Sequence, residues 1–213
     1  MSGIASTTLA LTRRAVLFEL RLWRSLYRWI FRRPLRLEPG AATFGYSDIV
    51  MPAFIGFIVV TAIEIPVLHL ILPWQTVRII LFILGVQGLL WMIGLLASLR
   101  IHPHVVGASG LRVRNGSSIA IDIPWDAIAA IRTRIRSLPT GKTIQFDPDD
   151  ASVLSIAMSS QTNVDVVLRE PMTVPLPGRA GRPITELRFF ADDQRGLADR
   201  AREHLTAGSS SQA

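Results

Sequence analysis

The chain has 213 residues, 49% of them hydrophobic, and carries 23 basic against 16 acidic residues, a net charge of +7. Its length allows one or two domains, and the lack of cysteine excludes disulfides and thiolate metal sites. Residues 1–48 alone carry a net charge of +5. Because this charge precedes an apolar run, it favours anionic lipid over nucleic acid as its partner.

Residues 1–48 are predicted to form a cytoplasmic basic amphipathic helix and a connector. Residues 1–10 are expected to be disordered and not to form a secretory signal peptide. Over residues 11–31 the apolar positions recur with a helical period, and Pro34 is expected to end the helix. A basic helix with aromatic residues on its other face is typical of the membrane interface. Five arginines on or beside one stripe are candidate lipid- or partner-binding residues: Arg14, Arg21, Arg24, Arg28 and Arg32.

Residues 49–100 are predicted to form a two-helix transmembrane hairpin, with spans at 49–72 and 76–99. Apolar runs of this length rise roughly 31 to 36 Å as helices, enough to cross a hydrocarbon core of about 30 Å. The intervening turn, Pro73-Trp74-Gln75, is so short that the two helices must be antiparallel neighbours.

Two further features of the hairpin concern its packing and its orientation. The Gly94-x-x-x-Ser98 spacing is expected to let the first span approach the second closely. Eight arginines precede the first span, whereas Arg78 alone follows the turn within the second span. By the positive-inside rule both termini are cytoplasmic, and the chain is predicted to be a multi-pass inner-membrane protein.

Residues 101–206 are predicted to form a cytoplasmic β-rich domain closed by one helix, and residues 207–213 a disordered tail. Asn115-Gly116 permits a tight turn between the first two strands. Asp192 or Asp193 is expected to cap a helix that ends near Leu205. The seven predicted strands cover residues 111–114, 118–123, 128–136, 142–146, 153–158, 164–169 and 184–190.

Five segments of the chain support a resemblance. They are RIHPHVV at 100–106, GLRVRNG at 110–116, IPWDAI at 123–128, VVLREPMTV at 166–174 and FADDQRGL at 190–197. In these segments the chain resembles the bacterial membrane-anchored PH-like (pleckstrin-homology-like) proteins, in which a short transmembrane hairpin precedes the domain. The resemblance implies an α+β membrane protein with a PH-like seven-stranded β-barrel or sandwich capped by a C-terminal helix, in a family largely without an assigned activity.

Glu64 is the most unusual residue of the predicted spans, because an acid inside a membrane costs several kcal/mol unless it is protonated or paired. His69 and Gln87 are its candidate partners and complete a candidate intramembrane polar site. One interpretation is a proton-responsive or ion-handling site, which requires a homo-oligomer or a partner protein. The other is a protonated Glu64 hydrogen-bonded across the hairpin, which serves packing alone.

Arginines also alternate along a predicted strand of the β-rich domain. Arg132, Arg134 and Arg136 share one face and are candidate lipid- or partner-binding residues, although such a face is more often simply solvated. His102-Pro103-His104 lacks a third ligand, and these histidines are predicted to link membrane and domain. No cofactor or metal is predicted, and no phosphate loop or nucleophile elbow indicates an enzyme.

The sequence therefore predicts a non-catalytic binding or scaffold protein that presents a β-rich domain at the inner membrane surface. Its expected partners are anionic lipid and a protein that the sequence does not identify. Two alternatives remain open: an accessory subunit of a larger membrane complex, and a proton- or ion-linked function centred on Glu64.

Overall fold

The computed structural model describes residues 19–20, 22–31, 37–176 and 179–210. The chain divides into two compact units, which we call the helical unit (residues 1–34 and 51–101) and the β-rich unit (residues 35–50 and 102–213). The predictions made for residues 1–18, Arg21 and residues 32–36 lie outside the described residues. They include those for Arg14, Arg32 and Pro34.

The described residues of the helical unit form three helices. Helix α1 covers residues 19–20 and 22–30, α2 covers Met51–Ile71 and α3 covers Gln75–Arg100. Helices α2 and α3 contact each other along the hairpin and rise roughly 32 and 39 Å at about 1.5 Å per residue. Both are long and apolar enough to cross a membrane, so the sequence-based prediction of two long apolar helices is confirmed.

Close approach within the helical unit occurs at Gly85 and at Gly94. A Cβ atom at Gly85 would lie 2.8 Å from Cγ1 of Ile65, so α2 packs against α3 at this glycine. A Cβ atom at Gly94 would lie 2.7 Å from Cδ2 of Leu22. The small residue that was expected to admit the first span therefore accommodates Leu22 of α1 instead.

The β-rich unit contains nine strands and one helix among its described residues. The strands are β1 (Ala42–Phe44), β2 (His104–Val106), β3 (Gly110–Asn115), β4 (Ile119–Pro124), β5 (Ile128–Ser137), β6 (Ile144–Phe146), β7 (Val153–Ile156), β8 (Gln161–Leu176) and β9 (Arg179–Phe189); helix α4 covers Gln194–Ser210.

These strands form two separate sheets. The first is antiparallel with the order β1-β2-β3-β4, and the second has the order β5-β8-β9-β7-β6, in which β7 and β9 are parallel. Each of the seven predicted strands overlaps one of β3 to β9, which confirms an α+β chain. The described strands close no barrel, because each sheet keeps two edge strands.

Two strands, β1 and β2, were missed because they lie in segments that were interpreted as a connector and as a link between membrane and domain. Strand β1 comes from the predicted connector and pairs with β2, so residues 35–50 belong with the β-rich unit. Strand β8 was also underestimated, since it continues through Pro171 and Pro175. Beyond Leu168 strand β8 pairs with β9 alone. A proline whose nitrogen faces the unpaired side of such a strand costs no hydrogen bond between strands.

Apolar side chains of both sheets and α4 form one core in the β-rich unit, including Ile121, Leu187 and Leu197. The helix begins where predicted, because the carboxylate of Asp193 accepts the backbone N–H of Gly196 at 2.8 Å and acts as the N-cap. It continues to Ser210, so residues 207–210 are helical and not part of a disordered tail.

Candidate functional site

An open cavity of about 290 Å³ lies between the two helices of the hairpin. Glu64 and His69 reach it from α2 and Arg78 reaches it from α3, and the remaining lining is mostly apolar. The predicted pair of Glu64 and His69 therefore lies at one site. Gln87, the third predicted member, is exposed on α3 and is not among the lining residues.

Arg78 is the residue of this cavity that the sequence interpretation missed. Contact between the rings of His69 and Phe82, with centroids 5.7 Å apart, sets the register of the two helices. Arg78 lies four residues before Phe82, one turn nearer the loop on the same side of α3. Combined with the antiparallel hairpin, this spacing was the signal that could have placed Arg78 near His69.

The charges in this cavity are not neutralised by one another. Within the described ranges no ion pair of 4.0 Å or less joins Glu64 to Arg78 or to any other base. The Nε atom of Arg78 is buried and has no hydrogen-bond partner. An acid and a base thus line the same cavity without forming an ion pair with each other.

Strand β5 carries the arginines that were predicted to share one face. Arg132 and Arg134 are exposed, and β5 is an edge strand of its sheet because it pairs only with β8. A register shift between Thr133 and Arg136 inserts an extra residue into β5. A bulge of this kind redirects the side chains that follow it, so the regular alternation ends before Arg136.

Arg136 has a different role from the other two arginines. Its Nη2 lies 2.8 Å from Oδ2 of Asp165, whose side chain is only 4% exposed. Arg136 therefore neutralises a buried acid of β8 and does not share the exposed face of Arg132 and Arg134. The binding role of these arginines stays a prediction. The exposed surface of β5 instead combines Arg132, Arg134 and Ile135, whose side chain is 68% exposed.

Two further concave surfaces of the β-rich unit are occupied by internal ion pairs. Arg112 pairs with Asp122 across β3 and β4, beside a groove of about 390 Å³. Glu38 lines the same groove, and hydrogen bonds from Ser109 hold the pKa of its carboxyl below the usual value. These contacts hold Arg112, Asp122 and Glu38 in interactions within the chain.

The second surface is a cleft of about 350 Å³ on the other sheet. Arg188 lies at its edge and contacts Asp147 at 2.9 Å and Glu186 at 2.5 Å. Both acids are thereby bound to one guanidinium. Among the described residues no group of three or more His, Cys, Asp or Glu side chains has the arrangement of a metal site.

His104 lies in the core of the β-rich unit and not at a boundary with the membrane, which corrects the interpretation of the His-Pro-His segment. Its Nε2–H donates to the carbonyl of Phe190 at 2.9 Å, and its Nδ1 accepts the backbone N–H of Arg114 at 3.1 Å. These two partners require the neutral ring. Burial lowers the pKa of His104 to about 4, so this residue is structural.

The N-terminal arginines are placed only in part. Arg24 is exposed and Arg28 is half-buried on α1, whereas Arg14, Arg21 and Arg32 lie outside the described residues. Exposed aromatic and aliphatic side chains accompany Arg24 on the same helix, including Tyr27 and Ile30.

No protein-family model, curated protein or solved structure matches this chain. The resemblance to the membrane-anchored PH-like proteins therefore stays a prediction based on the five sequence segments.

Proposed function

We propose that this chain is a membrane-anchored, non-catalytic binding protein. In this proposal α2 and α3 span the bacterial inner membrane, and the β-rich unit is a PH-like binding module in the cytoplasm. The observation that carries the proposal is the surface of the hairpin: α2 has no buried residue at all, although its mean hydropathy is 2.3.

An apolar surface of this extent needs a solvent other than water. Soluble monomers rarely expose contiguous apolar patches beyond a few hundred Å². Here large apolar side chains are exposed along both helices, such as Phe57 and Ile63 on α2 and Ile83 and Leu84 on α3. A core helix of a soluble protein would be mostly buried, whereas these helices match lipid in both length and surface.

The orientation in the proposal depends on the arginines. Residues 1–48 contain eight arginines, and Lys and Arg accumulate on the cytoplasmic side of spanning helices. A two-span hairpin returns the chain to the side on which it started, so the β-rich unit is cytoplasmic as well. Helix α1, with Arg24 and exposed Tyr27 and Ile30, has the composition of a helix that lies in the interface.

Within the β-rich unit the edge of β5 is the surface best suited to a partner. Among the described strands β5 pairs with β8 alone, and on its outer side the carbonyl of Ile131 accepts a hydrogen bond from Nη2 of Arg202 at 3.2 Å. An edge strand presents main-chain donors and acceptors to a second strand. Exposed Arg132 and Arg134 beside exposed Ile135 favour an acidic protein segment with at least one apolar side chain.

The proposed surface is tested by photo-crosslinking in native membranes. A photoreactive amino acid replaces Ser137, at the exposed end of β5, in the full-length tagged chain. We expect a discrete protein adduct that the Arg132→Glu/Arg134→Glu variant loses. The matched control is Arg169→Glu/Arg195→Glu, which makes the same change of net charge at two other exposed arginines and should retain the adduct. Equal adducts in both double variants, or adducts with lipid alone, contradict the proposed surface.

A further inference from the structure

We propose that two copies of this chain associate through their hairpins, with Glu64 of one copy paired to Arg78 of the other. The inference rests on the proposed membrane-spanning hairpin and adds a partner to it. It concerns the cavity lined by Glu64, His69 and Arg78, whose charged side chains form no ion pair with any described residue.

The first step of the argument is the energetics of Glu64. Its side chain is exposed on an apolar helix, seven residues before α2 ends at Ile71, and therefore roughly 10 Å from the end of the helix. Ionisable side chains at such positions face other protein groups or a water-filled space, and they pair with one another. In the described chain no base lies within ion-pair distance of Glu64. An external partner with a positive charge would supply that interaction.

The second step is charge complementarity. Arg78 lines the same cavity from the other helix, and its Nε is buried without a hydrogen-bond partner. A two-fold interface brings the same patch of both copies together, so that residue i meets residue j twice. A patch that holds one acid and one base is self-complementary under this operation. An axis along the membrane normal keeps the same patch of both copies at the same depth.

The third step is the packing surface around the charges. Leu81, Phe82 and Leu84 line the cavity and are exposed large apolar residues of α3. Between helices in lipid, association depends on van der Waals packing and on interhelical polar contacts. The cavity and its apolar rim provide both, and Gln87 lies outside them, which makes it a suitable control position.

The test uses charge reversal in two differently tagged full-length copies that are co-expressed and purified from membranes in mild detergent. Glu64→Arg gives a patch with two bases and Arg78→Glu gives a patch with two acids, so each variant alone should lose at least about tenfold in self-association. Together the two variants should recover co-purification, because each base then faces an acid of the other copy. The doubly reversed chain, Glu64→Arg/Arg78→Glu, should self-associate like the wild type.

The milder variants guard against failure to insert. Glu64→Gln and Arg78→Gln introduce no charge and should each reduce co-purification. The control variant Gln87→Glu, outside the cavity, should leave co-purification unchanged. Recovery only in the doubly reversed chain, without recovery in the mixture, shows pairing inside one chain and overturns the proposal. The proposal is also overturned if wild-type copies stay in the membrane but never co-purify. This holds even if Glu64 is then found to pair with a different protein. Release of the wild-type chain by alkaline carbonate instead overturns the membrane-spanning function itself.

Discussion

His104 shows how one buried residue couples the β-rich unit to pH. Its ring packs between Tyr46 and Phe189, with centroid distances of 4.8 Å to each. Tyr46 is buried as well, and this burial raises the pKa of its hydroxyl to about 12. The hydroxyl accepts the backbone N–H of Gly116 at 2.7 Å. His104 and Tyr46 therefore connect β2, β3 and the turn after β3, and the two hydrogen bonds of His104 require its neutral ring.

We expect the β-rich unit to lose stability as the pH falls from about 6.5 towards about 4. The pKa of His104 is lowered from 6.5 to about 4 by burial, so between these values the unfolded state binds a proton that the folded state does not. The free energy of unfolding should then fall by about 1.4 kcal/mol per pH unit. Urea unfolding of the full chain in detergent, at pH 7.5, 6.0 and 5.0, measures this slope.

The matched variants for this slope are two histidine substitutions. His104→Gln cannot gain the proton and should be less stable at pH 7.5 but lose the slope above pH 5. His204→Gln removes a histidine that stacks on Trp125 at 5.0 Å and should keep the slope. A slope that survives His104→Gln would assign the pH dependence to another group.

The arginines of β5 differ sharply in their expected contribution to stability. Removing one partner of a buried ion pair leaves the other charge uncompensated, which costs about 3–5 kcal/mol. Arg136→Met leaves the buried carboxylate of Asp165 without its positive partner and should lower the free energy of unfolding by about 3 kcal/mol. Arg134→Met, at an exposed position of the same strand, should change it by less than about 0.5 kcal/mol. Chemical unfolding of both variants at pH 7.5 compares them, and equal losses would contradict the separate role of Arg136.

At the scale of elements, the hairpin is held together where α3 lacks a side chain. Gly85 and Gly88 lie on the same helix, three residues apart. A Cβ atom at Gly85 would lie 2.8 Å from Ile65, whereas a Cβ atom at Gly88 would have nothing within 4 Å. Substitutions at these two glycines therefore distinguish the effect of helix–helix packing from the effect of helix propensity.

We expect Gly85→Ala to weaken the hairpin relative to Gly88→Ala. Both substitutions gain about 1 kcal/mol of helix propensity, so their difference reports packing alone. Overpacking against Ile65 costs about 1–3 kcal/mol, and Gly85→Ala should lower the thermal midpoint of helix unfolding in detergent below that of Gly88→Ala. Identical midpoints would mean that the contact of Gly85 with Ile65 contributes nothing to the hairpin.

At the scale of the whole molecule, the proposed topology places both ends of the chain on one side of the membrane. Eight arginines precede the hairpin, and the net charge of the remaining chain is small by comparison. If α2 and α3 both span the membrane, the turn between them is the one described segment that lies on the opposite side. The absence of cysteine from the sequence makes this arrangement directly measurable.

We expect single cysteines to report opposite sides. Gln75→Cys, at the start of α3, should react with a membrane-impermeant maleimide in spheroplasts. Ser209→Cys, in the last turn of α4, should react only after the membrane is permeabilised, because the proposed orientation, based on the positive-inside rule, places that end in the cytoplasm. Labelling of Ser209→Cys from outside would reverse the orientation, and equal labelling of both sites from outside would exclude a cytoplasmic β-rich unit.

Much of the fold followed from local patterns along the chain. The two long apolar helices, the positions of β3 to β9 and the Asp193 cap of α4 were all predicted, because periodicity and capping depend on neighbours a few residues away. Strands β1 and β2 were not predicted from the local pattern. Their pairing depends on contacts between residues far apart in the sequence, such as Ala42 with Val106.

The candidate sites divide in the same way. The sequence by itself determined that the hairpin segment contains an ionisable residue, because Glu64 interrupts an apolar run. Only the tertiary structure decided that Arg78 joins Glu64 and His69, and that Arg136 turns to Asp165 while Arg132 and Arg134 stay exposed. The physical reason is the sequence distance over which the interactions act. Neighbouring residues determine the secondary structure and the face on which a residue lies. Helix register, strand bulges and sheet pairing determine which distant charge it meets.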